Sequence, residues 1–357
     1  MGCYPARIWA RAGSLDYTTV VLIHGFAWHG GIFQHMSPFA EQYNARLIFV
    51  NRRDYPDSDP YDTDDHKLLV PSGEDTARNI RTFMDQRAVE LVDFLELLVE
   101  DLKLPRAKGS SGGIVLVGWS CSGVFITAVL AYLQTMPHKC HSLRKYLRRA
   151  VLYDVPYHVL GYSPPSVSYH PMTDPKLSAP ERLQAFAAWV SGYFNHGRAG
   201  TSLELKQPLL DPQPTILSMS DVEQQSCLHL GPGAPGGSDL MLMTEGARHG
   251  VFALLKADAL YLKPGIVDET PVDDAKLKPN DDLVEKELEV VYLWCDQSVW
   301  EMPWGARALQ SELGEARKLR KPTRSIKIKQ MRWANHFAHW DQPERVLRAL
   351  LTDSDLV

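Results

Sequence analysis

Short apolar blocks bounded by turn residues recur along the chain, and longer stretches with apolar positions every three or four residues lie between them. The block TTVVLIHGF (18–26) is β-branched and ends in His-Gly, which predicts a buried strand running into a loop. Residues 45–58 (ARLIFVNRRDYPDS) repeat the pattern, an apolar strand followed by a polar loop with a proline. Between residues 72 and 105, Val89, Val92, Leu95, Val99 and Leu102 follow helical spacing, and Pro105 stops the helix. GIVLVGWSCSG (113–123) reads as a strand that turns abruptly into an apolar helix, 122–134. A strand at 149–156 (RAVLYDVP) follows.

This alternation of strand and helix implies an α/β fold, a mostly parallel sheet with helices on both faces. After residue 156 the alternation breaks. Helices are predicted over 179–194 and 244–262, with a glycine-rich loop at 231–237 and a charged stretch at 271–287. The sheet resumes at 288–296, followed by a helix at 305–319, a last strand at 325–331 and a closing helix at 341–351 with Pro343 in its first turn. The expected organisation is a core of residues 1–156 and 286–357, interrupted by a mainly helical cap, 157–285, over the carboxyl edge of the sheet.

Composition narrows the function classes. Hydrophobic residues make up 45% and charged residues 23% of the 357 positions, as in a soluble globular protein. The formal charge of −5 gives no reason to expect a nucleic-acid partner, and the basic run HKCHSLRKYLRR (138–149) is expected to be a solvated helix face. Five scattered cysteines without a C-x-x-C pair fit reduced thiols and a cytoplasmic location. No leader segment and no run of about 18 apolar residues is visible, so no stable membrane insertion is expected. Gly2-Cys3 could carry lipid, but Ala6 stands where the acylation pattern wants Ser or Thr. The oligomeric state is not legible.

The chemistry centres on residues 118–123. A nucleophile presented at the carboxyl end of a strand needs a very tight turn, with small residues two before and two after it. Ser120 meets that test with Gly118 and Ser122; Ser122 fails it, because Val124 would take the tight position. The competing reading is a helix N-cap serine. Cys121 is a weaker nucleophile candidate, since its side chain would turn toward the core. A serine hydroxyl needs a base, and the loop after the last strand, MRWANHFAHWDQPERV, supplies His336 and His339.

With these motifs in chain order, HGF, GWSCS and NHFAHWDQPE, the sequence resembles the α/β-hydrolase fold superfamily. It departs from the usual pattern at Asn335 and Ser122, where glycine is typical. The resemblance implies a serine hydrolase with Ser120 as nucleophile and His336 as base. His339 becomes a packing residue and His24 a shaper of the oxyanion loop. The oxyanion donors are then the amides of Phe26 and Cys121. The usual acid position after strand 288–296 holds Ser298, with Asp296 two positions early. Haloalkane dehalogenases and zearalenone-type lactonases resemble an alternative in which the acid follows the strand before the cap, where this chain has Asp154. Asp154 is the favoured acid and Asp296 the alternative, with Asp57 or Glu301 behind them.

Trp28, His29, Tyr157, Trp189 and Tyr193 are expected to line the substrate site. The expected substrate is a medium-to-large, apolar ester or lactone, without metal or cofactor. Carbon–carbon bond hydrolysis or acyl transfer on the same fold remains open, as does a non-catalytic protein that binds a small molecule.

Overall fold

The computed structural model describes residues 6–9, 15–136, 140–197, 202–262 and 288–352. Gly2, Cys3, the charged stretch 271–287 and the expected boundary at 285 lie outside them.

Seven strands form one sheet: β1 (Ala6–Trp9), β2 (Thr18–Ile23), β3 (Ala45–Val50), β4 (Ile114–Trp119), β5 (Leu147–Tyr153), β6 (Glu289–Cys295) and β7 (Ile326–Met331). Their spatial order is β1-β3-β2-β4-β5-β6-β7. β2 to β7 run parallel, and β1 pairs antiparallel with β3 at the edge. Every residue of β2 to β5 is buried, as continuous apolar runs predict for strands covered on both faces. β1 was not expected, because four residues at an edge carry too short a pattern to read.

Seven α-helices of nine or more residues are described: α1 (Thr76–Leu102), α2 (Gly123–Thr135), α3 (Ala179–Val190), α4 (Ser238–Arg248), α5 (Val251–Leu260), α6 (Glu301–Lys318) and α7 (Pro343–Leu351). α1 differs from expectation in its facing. It buries Ala88, Leu91, Val92, Leu95 and Leu98, whereas Val89 is exposed. The helix expected over 244–262 is two helices, because Gly250 takes a left-handed φ of 68° and redirects the chain.

The basic run also differs. It holds a short helix, His141–Arg144, and then enters β5, so that Arg148 and Arg149 are strand residues and buried. Arg149 Nε donates to Glu289 at 2.6 Å and Nη1 to the Leu350 carbonyl at 2.8 Å. A local partner across the sheet outcompetes solvation, which a charge run cannot reveal.

The segment between β5 and β6 carries α3, α4 and α5. Phe252 and Leu255 of α5 join the same apolar cluster as Ile126 and Val129 of α2, and Leu242 of α4 joins it too. Trp189, in the last turn of α3, and Phe194, just after it, pack instead with the cluster on the opposite face, around Trp119 and Phe337.

Candidate active site

β4 ends at Trp119, and Ser120 follows with φ of 57°, a left-handed conformation unusual for a residue with a Cβ. The turn is tight on every side. A Cβ on Gly118 would lie 2.5 Å from Ile126 Cγ1, and one on Gly25 would lie 2.8 Å from Ser120 Cβ. A Cβ at Gly123 would meet Val155 at 2.7 Å, so an obligatory glycine stands one residue beyond the position where the elbow pattern has it. Ser122 is more than a spacer. It is fully buried and its hydroxyl donates to the His24 carbonyl, tying the elbow to the loop after β2.

Ser120 Oγ lies 3.0 Å from His336 Nε2, and His336 Nδ1 lies 2.7 Å from Asp154 Oδ2. An ionised carboxylate only accepts, so Nδ1 carries the proton and Nε2 is left to take one from the serine. Asp154 is fully buried at the end of β5, with φ of 47°. Its Oδ1 accepts from the Cys295 amide at 2.7 Å, and its Oδ2 also accepts from the Ser298 hydroxyl. Ser298 occupies the place where the family's acid usually stands and here donates to Asp154 on the neighbouring strand. Sequence reasoning missed this role, although the position itself was the signal.

The other carboxylates lie elsewhere. Asp296 receives Gln330 Nε2 at 3.4 Å and makes no hydrogen bond to His336. Asp57 is exposed in the loop after β3. Glu301 is buried in the first turn of α6.

Three buried histidines, His24, His336 and His339, lie near Ser120, and their partners sort them. His24 and His339 are fully buried, and burial holds both well below the ordinary imidazole range. His24 Nδ1 donates to the Gly25 carbonyl at 2.9 Å while Nε2 accepts the Arg52 amide at 3.0 Å. His339 packs edge-on against Trp119 at 4.4 Å. Neither bonds a carboxylate, whereas His336 does. Trp119 also braces His336, donating Nε1 to its carbonyl at 3.1 Å and holding its ring 4.8 Å from the imidazole.

Cys121 follows the serine directly, and Phe26 follows Gly25, where an added Cβ would lie 2.8 Å from Ser120 Cβ; the Phe26 amide makes no backbone hydrogen bond among the described residues. Burial pushes the Cys121 thiol up to about 12, so it stays protonated at neutral pH and is a poor nucleophile.

Asn335, the other departure, is buried and uses its whole amide. Nδ2 donates to the Ser191 carbonyl and to Thr215 Oγ1, both at 2.8 Å, and Oδ1 accepts the Phe337 amide at 3.0 Å. Glycine could make none of these side-chain bonds from the histidine loop to the inserted segment.

The expected lining residues divide. Trp28 is buried edge-on to Phe337 at 5.1 Å. His29 caps the following turn, accepting the Gly31 amide. Trp189 donates to the Leu205 carbonyl at 2.9 Å, and the Tyr193 hydroxyl donates to Asp341 at 2.6 Å. Tyr157 is half-buried and stacked on Trp300 at 5.3 Å.

The sequence profile described as "Alpha/beta hydrolase family" matches residues 20–349. No curated protein matches the chain. Among solved structures, Est816, described as an N-acyl homoserine lactone degrading enzyme, is 14% identical with a TM-score of 0.48, over 98% of this chain and 96% of its own. An esterase from Exiguobacterium antarcticum is 14% identical with a TM-score of 0.46, over 98% and 94%. A bromoperoxidase from Bacillus anthracis is 16% identical with a TM-score of 0.44, over 98% and 95%.

Proposed function

Because the chain belongs to the alpha/beta hydrolase family, we propose that it is a serine hydrolase of carboxylic esters or lactones. Ser120 attacks the carbonyl carbon while His336 Nε2 takes the hydroxyl proton. Asp154 holds the imidazole in its tautomer and offsets the charge that forms. Negative charge on the carbonyl oxygen is met by the Phe26 and Cys121 amides. The alkoxide leaves with the proton from His336; in a lactone it stays tethered to the acyl group. Water, deprotonated by His336, then attacks the acyl-enzyme and restores the serine.

The observation that carries this reading is the continuous hydrogen-bonded chain from Ser120 through His336 to Asp154, at 3.0 and 2.7 Å, on a serine held at φ of 57°. An N-cap serine needs neither a histidine at its hydroxyl nor a carboxylate behind that histidine. Serine rather than aspartate at position 120 also argues against the aspartyl-ester chemistry of epoxide and haloalkane hydrolysis. For the substrate, we favour a medium-to-large apolar ester or lactone, with residues 157–285 as its cap and Tyr157 as its first contact.

A fluorophosphonate probe tests this without knowledge of the substrate. Wild-type protein is expected to label covalently, and Ser120→Ala to lose labelling and about 10⁶-fold in turnover of p-nitrophenyl esters. Wild-type protein that does not label, or a variant that still does, removes Ser120 as the nucleophile.

A further inference from the structure

A buried network outside the triad reaches the oxyanion loop from the inserted segment. Asp239, in the first turn of α4, accepts Arg52 Nη1 on Oδ1 at 2.5 Å. Its Oδ2 accepts Arg52 Nη2 at 2.6 Å and the Tyr55 hydroxyl at 2.6 Å. The Arg52 and Asp239 side chains are each 5% exposed. The same two partners hold the residues on either side of Phe26. Arg52 Nη2 donates to the Gly25 carbonyl at 3.0 Å, and the Tyr55 oxygen accepts the Ala27 amide at 3.0 Å.

These contacts determine where the Phe26 N–H points. The Gly25–Phe26 peptide is planar and trans, so its carbonyl and its N–H point in opposite directions. With the carbonyl held by Arg52 and by His24, the N–H must face away from both. On the other side Ala27 sits at φ of 67°, a conformation a residue with a Cβ rarely keeps without help. A hydroxyl has one proton to give. Tyr55 gives it to Asp239, which leaves oxygen lone pairs for the Ala27 amide. Burial and Asp239 together hold the phenol well above its ordinary range, so it remains a donor. The ring of Phe26 is fixed from the same segment, since a Cβ on Gly233 would lie 2.7 Å from its Cε1.

We propose that Asp239, acting through Arg52 and Tyr55, is a positioning residue that aims the Phe26 amide at the oxyanion, so that the inserted segment is part of the catalytic apparatus. This rests on Ser120 being the nucleophile. The loop is pre-set before substrate arrives, which is the condition for a fixed dipole to lower the barrier without reorganising.

The test compares wild type, Ser120→Ala, Tyr55→Phe and Asp239→Asn, with far-UV circular dichroism as the check on folding. Two rates are read, inactivation by the fluorophosphonate, whose phosphoryl oxygen occupies the oxyanion position, and turnover of a p-nitrophenyl ester. Tyr55→Phe keeps the ring and is expected to fold. It should lower both kcat and the inactivation rate about 10- to 100-fold with KM within about twofold, part of the loss expected for deleting one oxyanion donor. Its pH profile should match wild type, because His336 and Asp154 are untouched. Asp239→Asn, if folded, should lose at least as much. Tyr55→Phe that melts earlier yet keeps wild-type kcat and inactivation rate overturns the proposal, leaving the network a merely structural one. Wild type that does not label overturns the nucleophile assignment and this proposal with it. Partial loss in Tyr55→Phe and Asp239→Asn, between a wild type that labels and a Ser120→Ala that does not, supports both.

Discussion

Asp154 and Asp296 are both aspartates at the carboxyl end of a strand, and only their partners tell them apart. Asp154 accepts from His336 and Ser298 on Oδ2 and from the Cys295 amide on Oδ1. Hydrogen bonds of this kind fix a carboxylate in direction, which a triad acid needs. Asp296 points toward Gln330 on β7, and burial raises its carboxyl above the usual range. Asp154→Asn is therefore expected to lower kcat about 10⁴-fold by favouring the wrong imidazole tautomer. Asp296→Asn should leave kcat within about twofold. Steady-state turnover of a p-nitrophenyl ester by both variants checks this, and equal losses would contradict the assignment. Ser122 makes a related point. A pattern written as small–x–Ser–x–small treats it as a spacer, whereas its hydroxyl joins the elbow to the His24 carbonyl.

At the scale of elements, the elbow and the histidine loop were legible because each needs residues with few substitutes. The strand-to-helix turn at Ser120 needs Gly118, and its neighbour needs Gly25, for want of room. The two departures from the family pattern, Ser122 and Asn335, were legible only as anomalies. Each proves to be a side chain bonding across elements, and such a bond leaves no periodic trace. Asn335→Gly, which restores the more usual residue, is expected to destabilise the protein. Three buried hydrogen bonds are lost, at about 1 kcal/mol each. Urea unfolding should show a loss of about 2–4 kcal/mol, and kcat should fall with it as the loop carrying His336 loosens. A glycine variant as stable as wild type would mean that backbone packing alone holds that loop.

At the scale of the whole molecule, β4, β5 and β6 bring Ser120, Asp154 and Ser298 to one edge, and the loop after β7 brings His336 onto them. The same edge buries Glu301, 8% exposed, and burial pushes its carboxyl up to about 8 from 4.5. Between those two values the unfolded chain has released this proton and the folded protein has kept it. Glu301 therefore makes stability fall as pH rises from about 4.5 to 8, with the full cost present above pH 8. Glu301→Gln removes that dependence. Relative to wild type it is expected to gain stability between pH 5 and pH 9, by at most about 5 kcal/mol. Denaturant unfolding at the two pH values measures the difference. An identical pH dependence in both proteins would show that Glu301 ionises freely in the fold. No described helix is long and apolar enough to cross a membrane.

By itself the sequence determined the α/β class and singled out Ser120, His336 and a short list of acids as candidates. Those features rest on short-range physics, namely apolar blocks of strand length, glycines where no Cβ fits, and a histidine loop after the last strand. Tertiary structure alone brought Asp154, and not Asp296, against His336, gave Ser298 its hydrogen bond to Asp154, buried Arg149 against Glu289, and joined Asp239 to Gly25 and Ala27 through Arg52 and Tyr55. Each of those pairings links residues more than a hundred positions apart or on separate elements. Their partners are chosen by how the sheet is ordered and how the inserted segment folds back on it, and local sequence carries no record of either.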